Sequence, residues 1–243
     1  MTDKMEDLRK YLEGVRGYIF DYGGTIDTGG EHWSHVIRRG WEAAGIAADE
    51  VRFREAYVYA ERELARTLHI LPHHNFGDLL LIKADIELQW MARQDLLPPE
   101  DVAPKAKIIA DYCYDVARAH AREALPVLEK LAAQCPMVLV SNFYGNIETV
   151  LKDFGLDHCF RKIIESAVVG VRKPDPEIFR MGVRALELPA EQCLVVGDSF
   201  RKDIEPALKA GCRAVWIKGA GWTPEEDAQT YPYTIASLKE LTA

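Results

Sequence analysis

The 243-residue sequence has few cysteines, no long apolar run and no cluster of basic residues. Its five cysteines are odd in number and widely spaced, and no C-x-x-C occurs, which argues against a disulfide framework and against a zinc site. No apolar run approaches the length that a bilayer requires, and the polar, acidic start lacks the layout of a signal peptide. These absences predict a cytoplasmic protein.

The formal net charge is −8, and the Lys and Arg residues are scattered along the chain. This pattern argues against a surface for nucleic acid or for an anionic membrane. An anionic ligand would therefore need a local basic pocket. Internal repeats and low-complexity tracts are also absent from the sequence. Composition leaves the oligomeric state open.

Two patterns of apolar residues divide the chain. Between residues 28 and 120 the spacing predicts four helices and no strand, at 31–44, 49–69, 76–93 and 99–120. Elsewhere a helix is predicted at 3–14, and short apolar strands alternate with further helices. The strands are GYIF before Asp21, 137–142, 162–166, 193–199 and 214–217, and the helices are 126–134, 145–154, 175–187 and 203–210.

This alternation predicts an α/β core, a parallel sheet with helices on both faces, formed by residues 1–27 and 121–243. Residues 28–120, called the insert below, are predicted to form a separate four-helix cap. The insert follows the first strand, at the edge where open parallel sheets place their sites. A lid over that edge is therefore expected.

Four polar clusters each follow an apolar strand, and parallel strands would bring them to one edge. Taken singly, each cluster is weak evidence, because an Asp that ends a strand is more often a turn residue or a helix cap. All four in this order are an improbable accident. The clusters are Asp21-Tyr22-Gly23-Gly24-Thr25, Ser141-Asn142, Lys173-Pro174-Asp175-Pro176, and Gly197-Asp198-Ser199 with Asp203.

In these clusters, and in the runs FGLDHCFRKIIESAVVGVRKPDPEIF (154–179) and LVVGDSFRKDIEPALKAG (194–211), the chain resembles the haloacid dehalogenase superfamily. The resemblance is to the subgroup with a helical cap inserted after the first motif. It implies a Rossmann-like core, bound Mg²⁺, and hydrolysis of a small phosphorylated metabolite through an aspartyl-phosphate intermediate. A phosphatase is the expected activity.

The resemblance also implies a role for each matching residue. Asp21 would be the nucleophile, and Lys173 would hold both the phosphate and the Asp21 carboxylate. Metal ligands would be Asp21, Asp198 and the backbone carbonyl of Gly23. Asp203 would orient Lys173 or a metal-bound water, with Ser199 beside it, although a helix cap is an equal interpretation of Asp203. Phosphate donors are expected from Gly24, Thr25, Ser141 and Asn142.

Gly23 is a departure from the family pattern, which has a second aspartate here to protonate the leaving group and then activate water. A cap histidine could replace that group, since its pKa lies near neutrality. A surface or packing role is the more common one for such residues. The candidates are His32, His35, His73 and His74.

Three alternatives remain open because of Gly23. A dehalogenase would need no metal, and the retained Asp198 motif speaks against it. A carbon–phosphorus hydrolase would need a Schiff-base lysine, for which Lys83 is the candidate, although the sequence around it does not resemble that family. A catalytically degenerate member would only bind a phosphorylated ligand or a protein partner.

Overall fold

A computed structural model describes residues 2–47 and 49–242 of the chain. The predicted domain ranges also contain residues 1, 48 and 243, which lie outside the described residues. Six strands form one sheet in the order β3-β2-β1-β4-β5-β6, and every neighbouring pair is parallel. The strands are β1 Gly17–Phe20, β2 Met137–Ser141, β3 Lys162–Glu165, β4 Cys193–Gly197, β5 Arg213–Ile217 and β6 Thr234–Ile235.

Helices connect the strands and also fill the insert. They are α1 Thr2–Leu12, α2 Trp33–Ala43, α3 Glu50–Arg66, α4 Phe76–Arg93, α5 Val102–Ala132, α6 Ile147–Asp153, α7 Ser166–Val169, α8 Glu177–Leu186, α9 Glu205–Lys209 and α10 Pro224–Ala228. A π-helical turn, Phe200–Ile204, precedes α9. The predicted α/β fold with a parallel sheet is confirmed. Within residues 2–47 and 49–242, no helix is both long and apolar enough to cross a membrane.

Alternating residues of the central strands pack on opposite faces of the sheet, as the two-residue strand period requires. Ile19 and Val195 belong to a cluster that α8 covers. Phe20 and Val196 belong to a second cluster, which continues into the insert through buried residues such as Trp41. The strand segments GYIF, MVLVS and CLVVG are buried throughout, as expected for strands covered on both faces.

Helix α5 departs from the sequence prediction. Two helices, 99–120 and 126–134, were expected with a break before Pro126, but one helix runs from Val102 to Ala132 with Pro126 inside it. A proline removes one backbone hydrogen bond and disfavours helix, yet it can be tolerated where packing compensates. Buried Val127, Leu128 and Leu131 fix this part of α5 against the core. The predicted boundary at 120/121 therefore lies within a continuous helix.

Strand β6 was not predicted. It contains only Thr234 and Ile235, which is too short for an alternating pattern to be recognised. It extends the sheet beside β5 by pairing Trp216 with Thr234 and Ile217 with Ile235.

Candidate active site

Three of the four polar clusters follow neighbouring strands. Strand β1 lies between β2 and β4, and Phe20 is in register with Leu139 on one side and Val196 on the other. Asp21 is the first residue beyond β1, Ser141 ends β2, and Asp198 follows β4. The topology thus brings these side chains to the same edge of the sheet, as the sequence predicted.

Lys173 joins them from the loop before α8. Its Nζ donates to Oδ1 of Asp21 at 2.5 Å and to Oδ1 of Asp203 at 2.6 Å. Its side chain is only 3% exposed, and those of Asp21 and Asp203 are 6% and 2% exposed. Burial alone would lower the pKa of the Lys173 ammonium, but the carboxylates of Asp203 and Asp21 raise it above its ordinary value. Lys173 is therefore a fixed positive charge beside Asp21.

Two hydroxyl groups also contact the Asp21 carboxylate. Ser141 Oγ donates to Oδ1 of Asp21 at 3.2 Å. Thr25 Oγ1 lies 3.0 Å from Oδ2 of Asp21 and 3.2 Å from Oδ1 of Asp198, so it links the two carboxylates. Thr25 is fully buried and is not among the described residues that line the cavity above Asp21. Its hydroxyl therefore contacts Asp21 and Asp198 from behind the cavity wall.

The side chains of Asn142 and Asp203 hold other residues of the site in place. Asn142 accepts from the backbone N–H of Lys173 at 2.9 Å and donates to the Lys173 carbonyl at 3.1 Å. Its side-chain amide thus fixes Lys173, and its contact with phosphate stays a prediction. Asp203 contacts Lys173 and also accepts from the Ser199 N–H at 3.0 Å. Its position fits the predicted role of orienting Lys173.

The donor set fits a hard divalent cation. One carboxylate oxygen from each of Asp21, Asp198 and Asp203 lies within 4.8 Å of the others. Lys173 is the only side-chain cation that the described contacts place on this cluster. Burial, followed by the charges of Asp203 and Asp21, raises the pKa of Asp198 well above its ordinary value. Mg²⁺ prefers oxygen ligands and would offset this negative charge.

Gly23 and Gly24 differ in what surrounds them. A Cβ at Gly23 would meet no atom within 4 Å, and its backbone is not in the left-handed region. Gly24 has φ of +90°, and a Cβ there would overlap the Asp198 carboxylate. Glycine is thus sterically required at residue 24, but not at residue 23.

A cavity of about 460 Å³ lies between this edge of the sheet and the insert. Asp21, Lys173 and Asp198 line it from the core, and Trp33 and Lys83 line it from the insert. Gly23, Gly24, Ser141, Asn142, Ser199 and Asp203 also contribute to the walls. The four predicted clusters therefore open into one cavity that the insert covers.

A family model for haloacid dehalogenase-like hydrolases matches residues 15–211. The chain belongs to this family. Its fold is α/β, with a parallel sheet. The match covers every predicted core motif, from Asp21 to Asp203, and includes the whole insert.

Similar proteins are known in several organisms. A phosphoserine phosphatase of Thermus thermophilus is 38% identical over 87 residues, 36% of this chain and 34% of that protein. A glyceraldehyde 3-phosphate phosphatase of Methanocaldococcus jannaschii is 38% identical over 87 residues, 36% of this chain and 38% of that protein. The matches thus span little more than a third of either relative.

Among solved structures, a haloacid dehalogenase-type hydrolase of Bacillus subtilis, solved with bound magnesium, has a TM-score of 0.56 and 21% identity. The comparison covers 93% of this chain and 96% of that one. At this level of identity the likeness establishes the fold and nothing finer.

Of the four histidines proposed to replace the missing acid, only His32 lines the cavity among the described residues. His35 contacts the Gly221 carbonyl through Nε2 at 2.7 Å, and the His74 carbonyl accepts from Asn146. His73 is exposed. Burial, followed by the charges of Lys202 and Lys83, lowers the pKa of His32 to about 3. His32 is therefore neutral near pH 7.

Asp27 was not among the predicted site residues, yet it lines the cavity and is fully buried. Its Oδ1 accepts from the Gly24 N–H at 2.7 Å, and its Oδ2 accepts from Trp33 Nε1 at 3.1 Å. Burial, despite the Gly24 hydrogen bond, raises the pKa of Asp27 to about 8. One feature of the sequence could have identified it. Asp27 lies six residues after Asp21, just beyond the Gly23-Gly24 turn, so its carboxylate can reach back to the Gly24 N–H.

Replacing Gly24 by Ala is expected to damage both the fold and the metal site. The left-handed backbone disfavours any L side chain, at a cost of about 1–3 kcal/mol, and the Cβ would displace Asp198. The free energy of unfolding in urea and the Mg²⁺ affinity from calorimetry should both fall. Gly23→Ala is the matched control, since its methyl group enters open space. Equal stability and Mg²⁺ affinity in the two variants would contradict this account of residue 24.

Proposed function

We propose that the chain is a magnesium-dependent phosphatase that acts on a small phosphorylated metabolite through an aspartyl-phosphate intermediate. The observation that carries the proposal is the position of Asp21. Its carboxylate lies at the tip of β1, contacts the Lys173 ammonium and lines a cavity that also contains Asp198. A carboxylate held in this way is suited to in-line attack on phosphorus.

The comparisons support this proposal at a coarser level. The two relatives described above are phosphatases, and the B. subtilis hydrolase was solved with magnesium. In this chain the metal would be held by Asp21, Asp198 and the Gly23 carbonyl. It would neutralise charge as one anion attacks another. Lys173, which is already charged, would contact a phosphoryl oxygen.

The chemistry divides into two displacements at phosphorus. An oxygen of Asp21 forms a bond to phosphorus while the bond from phosphorus to the leaving oxygen breaks. Because residue 23 is glycine, this position supplies no proton, and the leaving oxygen departs as an anion. Water then attacks the phosphorus of the acyl phosphate, which restores Asp21 and releases inorganic phosphate. Slow water attack would allow transfer to another acceptor.

The metal role is tested with Asp198→Asn, which keeps the shape of the side chain and removes its charge. Mg²⁺ affinity, measured by calorimetry, and turnover of a good aryl phosphate are expected to fall together, by at least about tenfold. Asp111→Asn, an exposed change on α5, is the control. Unchanged Mg²⁺ affinity in Asp198→Asn would remove this residue from the metal site. A screen of phosphorylated metabolites with Mg²⁺ would then identify the substrate.

A degenerate member that only binds a phosphorylated ligand is the second candidate, and Gly23 is the observation that favours it. Intact Mg²⁺ binding with no turnover across the metabolite screen would support that function. The carbon–phosphorus hydrolase is less favoured, because its lysine must be a neutral amine. Burial would lower the pKa of Lys83, but the Glu61 carboxylate raises it well above the ordinary value. Borohydride trapping at Lys83 tests this alternative directly.

The insert, residues 28–120, is proposed to act as a hinged lid. Its entry contains Gly29 and Gly30, both at positive φ, where dihedral change is cheap. Hydrogen bonds join the insert to the core around its rim, among them His32 N–H to the Ala220 carbonyl, Thr149 Oγ1 to the Pro72 carbonyl, and Asn146 Nδ2 to the His74 carbonyl. The B. subtilis hydrolase is described as undergoing interdomain movement.

Binding of Mg²⁺ with beryllofluoride, a phosphoryl analogue, is expected to slow hydrogen exchange at the backbone amides where the insert meets the core. The reason is that a ligand between the lid and the core favours the closed arrangement. Exchange in β2 and β4, which are buried throughout, serves as the internal reference. Unchanged exchange along the seam at saturating ligand would argue for a rigid insert.

A further inference from the structure

Two rows of aromatic side chains line the cavity beyond the phosphoryl site. In the first row the ring centroids of Trp33 and Phe76 are 5.5 Å apart, those of Phe76 and Phe143 are 6.4 Å apart, and those of Phe143 and Tyr144 are 5.4 Å apart. All four residues line the cavity. Two come from the insert and two from the core, so this row crosses the seam between them.

The second row contains His32, Trp222 and Tyr57, which also line the cavity. The Trp222 ring centroid lies 5.0 Å from that of His32 and 5.1 Å from that of Tyr57. Trp222 belongs to the loop after β5, and the guanidinium of Arg54 lies 4.1 Å from its ring centroid. This row therefore also joins the core to the insert.

An ion pair between Glu61 and Lys83 connects the two rows. Lys83 Nζ lies 4.4 Å from the ring centroid of Tyr57, in the second row. Tyr144 Oη, in the first row, donates to Oε2 of Glu61 at 3.4 Å. The Lys83 side chain is 7% exposed and that of Glu61 is 39% exposed, and both residues line the cavity. A carboxylate and an ammonium therefore lie side by side on the cavity wall.

This wall constrains the chemistry of a bound group. Aromatic rows favour a flat, apolar ring over a puckered or flexible chain. Because Glu61 and Lys83 neutralise one another, a single charge beside the pair would be attracted by one partner and repelled by the other. A neutral hydroxyl group suits the pair, because it donates to the carboxylate while it accepts from the ammonium.

We infer that the two aromatic rows and the Glu61–Lys83 pair bind the leaving group of the substrate. That group is a planar aromatic ring with a hydroxyl or similar neutral polar substituent away from the phosphate. The inference rests on the proposed phosphatase function and deepens it. It is consistent with Gly23, because an aryl oxide departs readily as an anion without a proton donor. The contacts that carry the inference do not involve Gly23.

Inert phosphonates test the inference, because no leaving group departs and only binding is measured. Benzylphosphonate and cyclohexylmethylphosphonate have the same carbon skeleton, but only the first ring is flat. The second is the more hydrophobic, so tighter binding of the first reports aromatic contact rather than burial. In calorimetry with Mg²⁺, the affinity for benzylphosphonate is expected to be about fivefold higher than that for cyclohexylmethylphosphonate. A 4-hydroxyl group on the flat ring should raise the affinity by about a further tenfold.

Glu61→Gln and Lys83→Met are expected to remove most of the gain from the 4-hydroxyl group while leaving beryllofluoride binding unchanged. Glu55→Gln, an exposed change on the same helix, should retain the gain. If either cavity variant fails to fold, Tyr144→Phe removes one hydroxyl next to Glu61 and should reduce the gain. The comparison of flat and puckered rings needs only the parent protein.

The outcomes separate this inference from the proposed function. Beryllofluoride binding together with equal affinity for flat and puckered rings would overturn the inference and leave the phosphatase proposal standing. A gain from the 4-hydroxyl group that survives in Glu61→Gln and Lys83→Met would also overturn it. If neither beryllofluoride nor any of the phosphonates binds in the presence of Mg²⁺, both the inference and the proposed phosphatase function are overturned.

Discussion

Asp21→Asn is expected to lower turnover of any substrate by at least about 10⁴-fold, because an amide cannot replace a carboxylate as the nucleophile. The substitution keeps the shape of the side chain, so Ser141 and Thr25 can still contact residue 21. It removes one of three neighbouring negative charges, and we therefore expect a folded protein. The measurement is kcat with a good aryl phosphate, together with mass spectrometry of acid-quenched enzyme.

The parent protein should carry a phosphoryl group on Asp21 after the quench, and the variant should carry none. Asp111→Asn, on the exposed surface of α5, controls for the general effect of losing a carboxylate. Thermal unfolding of both variants separates a chemical defect from a folding defect. Turnover in Asp21→Asn equal to that of the parent would rule out an aspartyl-phosphate mechanism at this residue.

The core of the site could be predicted from sequence because topology determines it. Asp21 and Asp198 follow apolar runs that are buried on both faces, and such runs form central parallel strands. Parallel strands present their carboxyl ends at one edge, so residues far apart in the chain meet there. Lys173 needed the family resemblance as well, since it lies in a loop whose path no periodicity indicates.

The walls of the cavity could not be predicted in the same way. Helical periodicity identifies an apolar face, but it does not tell whether that face packs in a core or lines a cavity. Phe76 packs against Phe143, and Lys83 pairs with Glu61, through contacts that depend on how the insert lies on the core. The loop that carries Trp222 gave no pattern at all.

Helix α5 shows that tertiary packing can override a local sequence signal. Pro126 is a strong local signal for a helix boundary, and the predicted helices ended at 120 and began again at 126. The local preference is outweighed by burial of the residues that follow, including Leu128 and Leu131. The helix therefore runs on to Ala132, and a local propensity of a few kcal/mol was overridden by packing.

Restoring an aspartate at residue 23 is expected to raise turnover of alkyl phosphates by about 10²–10⁴-fold and that of aryl phosphates much less. Glycine cannot protonate an alkoxide, whereas an aryl oxide leaves without a proton. The rate of the parent protein should therefore depend steeply on the pKa of the leaving group. The surroundings favour the substitution, because a Cβ at residue 23 meets no atom within 4 Å and the backbone suits an L side chain.

The measurement is kcat/KM for a series of aryl and alkyl phosphates in the parent, Gly23→Asp, Gly23→Asn and Gly23→Ala. Only the aspartate variant should flatten the dependence on leaving-group pKa, since the other two add a side chain without an ionisable proton. A parent rate that is high and nearly independent of leaving-group pKa, with chemistry shown to limit turnover, would mean that another group supplies the proton. His32 is a poor source because its pKa of about 3 keeps it neutral. Asp27, buried on the cavity wall, would then be the residue to substitute, first by Asn and then by Ala.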